Sequence, residues 1–193
     1  IHISTDYVFD GREQRPYEED DETGPLNNYG KSKRAGELAI LKALPCNGII
    51  IRTSSLYSEF GDNFVKKILR LGSLESELNI VADQYSSPTY CSDLARIIIF
   101  IINKDIFQKF NNQTQIYHYS NKGCVSWYDF TKKIFELAEV NCIVNPIKSN
   151  EFNRAATIPT NSSLSKDKIE KTLNLKIPKW EESLTYFIQT LKL

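Results

Sequence analysis

"GIIIRT", Gly48 to Thr53, is a short, unbroken β-branched run. A strand that is covered on both faces has no reason to alternate apolar and polar residues. Such a run therefore fits the middle of a parallel sheet. Upstream, the apolar residues Ala35, Leu38, Ala39, Leu41 and Leu44 recur near the helical period. They predict a helix from Tyr29 to Leu44 that stops at Pro45. Before it, Ile1 to Thr5 reads as the C-terminal half of a strand. Asp6 to Asn28 is a long polar loop that carries an acidic run, Glu18 to Glu22. A structureless stretch of that length in a compact domain is usually functional.

Downstream, a helix is expected over Asn63 to Leu71 and a short strand near Asn79 to Val81. "DQYSSPTYCSDLA", Asp83 to Ala95, reads as a loop leading into an apolar helix that ends at Asn103. Ser92 is the expected N-cap of that helix. Gln115 to Tyr119 is the next strand, and Ser126 to Ala138 a helix capped by Ser126. Ser165 to Leu173 and Lys179 to Leu191 are the last two helices. Strands and helices alternate, so the expected class is α/β: part of a Rossmann-like, doubly wound parallel sheet. Short helices and Pro-bounded loops follow, so a small, mostly helical lobe is expected over 146–193, after a catalytic domain over 1–145.

The bulk numbers narrow the function. Lys plus Arg equals Asp plus Glu at 24 each, which gives no basis for a nucleic-acid or anionic-membrane partner. The longest apolar run is too short to span a bilayer, and a cytoplasmic location is expected. The four cysteines are widely spaced and form no CxxC pair, so no metal site is expected and reduced thiols are the default. The two histidines, His2 and His118, lie in strand-like segments and read as packed side chains. Methionine is absent, as expected of a chain that begins inside a longer protein.

Chemistry concentrates in "NNYGKSK", Asn27 to Lys33. Tyr29 and Lys33, four positions apart, share one helix face. An ammonium beside a phenol favours the phenolate, and a phenol so tuned can exchange a proton near neutral pH. Thr5 stands at a strand end, where parallel α/β proteins place their sites. Thr5, Tyr29 and Lys33 can thus converge on one carbonyl oxygen. The plain alternative is a solvated helix face, since Tyr-x-x-x-Lys also occurs by chance.

Seven blocks occur in order: "ISTDYVFDG", "PYEEDDETGPLNNYGKSKRAGE", "IIRTSSLY", "GDNFVKKILRL", "VADQYSSPTYCSDLA", "YHYSNKGCVSWYDF" and "TNSSLSKDKIE". The chain resembles the dTDP-4-dehydrorhamnose reductases, members of the extended short-chain dehydrogenases/reductases, over nearly its whole length. That resemblance implies reduction of the 4-keto group of a dTDP-linked 6-deoxy sugar to dTDP-L-rhamnose, with NADPH or NADH as hydride donor. It implies that Tyr29 is the proton donor and that Lys33 holds the nicotinamide ribose. Thr5 would bind the substrate carbonyl and Asp6 the sugar. Ser55, Asn63 and Gln84, within the substrate-side segments at 54–92, would also line the substrate. Asn63 as a helix cap and Pro88 as a turn residue remain open readings. A homodimer is among the assemblies considered.

Four positions depart from the pattern. Ser55 replaces an aromatic, Ser58 and Ser86 replace glycines, and Ile158 replaces an arginine. The eight glycines form no GxxGxxG cluster. The resemblance implies that such a cradle for the cofactor lies in a further ~100 residues upstream, about three βα steps. The chain is also similar to the regulatory β subunit of methionine adenosyltransferase, which implies the alternative of a non-catalytic binding protein. An epimerase or dehydratase fits less well, because "STD" supplies a single carboxylate.

Overall fold

The computed structural model describes residues 1–104, 113–152 and 156–191. The β-branched run forms β2 (Ile49–Thr53), and all of its residues are buried. It is the centre of a parallel sheet, between β1 (His2–Thr5) and β7 (Gln115–His118). (Strands and helices are numbered here in chain order.) The register places Thr5 opposite Thr53 and Arg52 opposite His118. Both strand ends are thereby brought level at the C-terminal edge of the sheet, as expected of a parallel α/β site.

Helix α1 (Asn28–Ala43) follows β1 and the polar loop. Asn27 caps it, its side-chain oxygen accepting from the Gly30 amide at 2.8 Å. Gly30 is required by close approach: a Cβ there would collide with the Tyr7 carbonyl oxygen. That contact seats the start of α1 against the one-turn 3-10 helix Asp6–Val8, which continues directly from β1. The loop between them is pinned. Val8, Phe9, Tyr17 and Leu164 form a small core of their own, and Tyr17 exchanges backbone hydrogen bonds with Ser163 and Ser165.

Two larger cores share the remainder. The first lies on the parallel sheet, where Ile49, Ile51 and Tyr117 pack with Leu94 and Ile101 of α3 (Cys91–Asn103) and Ile169 and Leu173 of α5 (Asp167–Leu173). The second joins α2 (Phe64–Leu74), α4 (Trp127–Ala138) and α6 (Trp180–Leu191) through residues such as Val65, Phe130, Ile134, Leu184 and Phe187. The parallel pair β4 (Glu77–Val81) and β9 (Ile143–Ile147) packs on it.

Several local expectations change. Ser92 is not the cap of α3: the N-cap is Tyr90, with no side-chain cap bond. The helix starts one residue after the two-residue strand β6 (Thr89–Tyr90), which pairs with β3 (Leu56–Tyr57), so Ser92 is already in its first turn. Ser126 does cap α4, accepting from the Asp129 amide at 3.0 Å. The strand β9 was not expected, because Pro146 interrupts its pattern; among the described residues it pairs only with β4, and proline is tolerated on such an edge. The expected boundary at 145 falls inside β9, and the segment after it feeds both cores, α5 the first and α6 the second. Among the described residues no helix is long and apolar enough to cross a membrane.

Candidate active site

Thr5, Tyr29 and Lys33 line one cleft of about 350 Å³ at the C-terminal edge of the sheet. β1 delivers Thr5, and the first turn and a half of α1 delivers Tyr29 and Lys33. Lys33 is fixed from behind, its Nζ donating to the Ile3 carbonyl at 2.6 Å. Tyr29 is 55% exposed, and its ring meets Tyr7 edge to face at 6.1 Å. The phenol is therefore available to a ligand, whereas the ammonium is held at a set height on the wall.

Thr5 is almost buried. Its hydroxyl donates to Asp6 Oδ1 at 3.0 Å and accepts from the Tyr7 amide at 3.2 Å. Donation from Thr5 to a carbonyl therefore requires its proton to turn away from Asp6. Asp6 is on the lining, but the residue is only 2% exposed. Burial pushes the Asp6 carboxyl above its ordinary range, against the hydroxyls of Ser162, Ser54 and Thr5 that favour its ionised form. Its carboxylate accepts from the Thr5 and Ser54 hydroxyls.

Ser55 lines the same cleft with Ser54 and Leu56. Asn63 and Gln84 do not. Asn63 is the N-cap of α2: its Oδ1 accepts from the Lys66 amide at 3.2 Å and its Nδ2 donates to the Ser58 carbonyl at 2.7 Å. Gln84 is buried. Trp127, the first residue of α4, was not a candidate; it lines the cleft and packs against Phe64, the rings tilted by 49° with centroids 4.5 Å apart. Its sequence signal was only an aromatic after a cap serine, which is equally the signal of a core residue. A larger cleft of about 840 Å³, beside Asp10, Arg12, Tyr85 and Asn161, holds none of the three proposed catalytic residues.

Helix α1 is tied to the sheet by a buried ion pair. Glu37 receives Arg52 Nε and Nη2 at 2.8 and 2.9 Å, Ser4 Oγ at 2.5 Å and Arg34 Nη1 at 2.9 Å. Burial alone would raise the Glu37 carboxyl; the Arg52 guanidinium, with Ser4 and Arg34, holds it below its ordinary range. His118 is fully buried beside Arg52, and burial followed by the Arg52 charge pushes it down to about 3. It is thus a packed neutral histidine, as its strand setting suggested.

The arrangement presents a proton donor, a cation and hydroxyls around one opening, which suits protonation of a carbonyl oxygen. Tyr29 and Lys33 offer the groups that would contact a cofactor ribose.

The chain is similar to several known proteins. A dTDP-4-dehydrorhamnose reductase of Sinorhizobium fredii is 42% identical, the match covering 100% of this chain and 66% of that protein. A solved dTDP-4-dehydrorhamnose reductase from Clostridium acetobutylicum superposes with a TM-score of 0.91 at 39% identity, covering 100% of this chain and 65% of that one. The Bacillus anthracis enzyme, solved in complex with NADP, gives a TM-score of 0.87 at 40% identity over 98% of this chain and 64% of that one. The chain thus spans slightly less than two thirds of these relatives. The family model described as the RmlD substrate binding domain matches residues 1–193, and the chain belongs to that family.

Proposed function

We propose that this chain is the catalytic and substrate-binding part of an NADPH-dependent reductase that converts a dTDP-linked 4-keto-6-deoxy sugar to dTDP-L-rhamnose in nucleotide-sugar biosynthesis. The observation that carries the reading is the convergence of Thr5, Tyr29 and Lys33 on one cleft at the sheet's C-terminal edge. The nicotinamide cofactor, NADPH by analogy with the NADP complex of a relative and NADH as the other candidate, supplies the hydride when bound. Tyr29 gives its phenolic proton to the sugar oxygen as charge develops there. Lys33, anchored on Ile3, brings a positive charge to the same cleft as that phenol and offers a donor to the ribose. Thr5 steadies the carbonyl oxygen once its hydroxyl turns from Asp6. Trp127 and Leu56 provide apolar wall.

A cytoplasmic location and a homodimeric assembly go with this reading as proposals. The test is an assay of the full-length protein: NADPH oxidation that depends on the dTDP-4-keto-6-deoxy sugar and yields dTDP-L-rhamnose. Sugar binding without turnover under those conditions would favour the non-catalytic alternative.

A further inference from the structure

Two serines singled out in the sequence, Ser55 and Ser86, meet in space with Oγ atoms 2.6 Å apart. Ser86 Oγ lies 2.9 Å from Ser54 Oγ, and Ser54 donates to Asp6 Oδ2 at 2.7 Å. The shortest contacts thus run as a chain of three hydroxyls from the cleft wall to a buried carboxylate, with a longer 3.3 Å contact directly between Ser54 and Ser55 Oγ. Only Ser55 among the three serines is not buried. Its backbone sits at φ 48, in the left-handed region that a serine seldom adopts. The bond to Ser86 holds its side chain in that turn.

Each hydroxyl has one proton to give and two lone pairs with which to accept. With the Ser54 proton on Asp6, Ser86 donates to Ser54 and Ser55 donates to Ser86. Ser55 then shows acceptor lone pairs to the cleft. If Asp6 instead carries the proton, the chain reverses and Ser55 shows its O–H. A carbonyl can only accept and an ammonium can only donate. A sugar hydroxyl does both, and so pairs with Ser55 under either polarity.

We propose that Ser55, braced by Ser86, is a specificity-determining residue that hydrogen-bonds a ring hydroxyl close to the reacting carbonyl, so that the site selects hydroxylated keto sugars over their deoxy counterparts. The assignment rests on the ketoreductase reading of the cleft. A polar wall built for a hydroxyl rejects the analogue that lacks it, because its own group is left unpaired.

The test uses the full-length protein with the dTDP-4-keto-6-deoxy sugar and its 2-deoxy and 3-deoxy analogues. kcat/KM is measured for wild type, Ser55→Ala and Ser86→Ala. Wild type is expected to prefer the hydroxylated sugar over one of the analogues by about tenfold or more. Ser55→Ala is expected to bring that ratio close to one, and Ser86→Ala to lower it partway. An active wild type without preference overturns the role of Ser55 alone, as does a Ser55→Ala protein that keeps the full ratio. Wild type inert on all three sugars overturns the ketoreductase reading and this assignment together.

Discussion

Glu37 on α1 and Arg52 on β2 form a two-bond ion pair, at 2.8 and 2.9 Å, with side-chain exposures of 0% and 2%. One turn before Glu37 on the same helix stands Lys33. The pair therefore fixes the height and rotation of α1 against the sheet that carries Thr5. Removing one partner leaves a buried charge uncompensated, which typically costs 3–5 kcal/mol. Glu37→Gln is expected to lower stability by about that amount in urea melts. A loss under about 1 kcal/mol would show that Arg52 finds another partner.

Tyr29 projects from the helix that this pair anchors. In the full-length protein, Tyr29→Phe removes the proposed acid and keeps the ring against Tyr7. General acid catalysis is worth roughly 10²–10⁴ in rate, so kcat should fall by about that factor with sugar binding largely kept. A near wild-type rate would remove Tyr29 from the mechanism.

Cofactor affinity should separate by length of chain. The 193 residues contain no Gly-rich turn to meet a pyrophosphate, so contact is left mainly to Tyr29 and Lys33. Calorimetry on the isolated chain is expected to show weak or no NADPH binding, and tight binding on the full-length protein. Micromolar affinity of the isolated chain would contradict this account.

Asn63 gives a test of cap against ligand contact. Its side chain already satisfies the Lys66 amide and the Ser58 carbonyl. Asn63→Ala should cost about 1 kcal/mol of stability, while KM for the sugar changes little. A large rise in KM at unchanged stability would place Asn63 on the substrate after all.

Lys166 is buried, and burial pushes its ammonium from 10.5 down to about 8. Below pH 8 the group is charged in both folded and unfolded chains, and the full penalty of burying the charge applies. Between about 8 and 10.5 the unfolded chain holds more protons, so stability rises with pH as the penalty is released. Lys166→Met should therefore stabilise the protein at pH 7, by roughly 1–3 kcal/mol. Its advantage should shrink at pH 10. A variant destabilised equally at both values would mean that the ammonium makes a favourable contact.

The sequence by itself determined the parallel sheet and the shared helix face of Tyr29 and Lys33. An unbroken β-branched run can be satisfied only by cover on both faces, and Ile49 to Thr53 are all buried. The four-residue spacing of Tyr29 and Lys33 puts both on one face of any helix. Ser126 was legible as a cap because capping needs only its own amides. Ser92 was not, since strand β6 pairs with β3 up to Tyr90 and the helix starts at once. The two-residue strands are too short to carry a period, and β9 is readable only once β4 lies beside it. Glu37 with Arg52, Ser55 with Ser86, and Trp127 in the cleft are likewise tertiary facts. Their partners are separated by 15 or more residues, so no local pattern relates them. Packing of the helices on the sheet alone decides which of those polar groups meet, because a buried charge or hydroxyl is stable only where the fold brings it a partner.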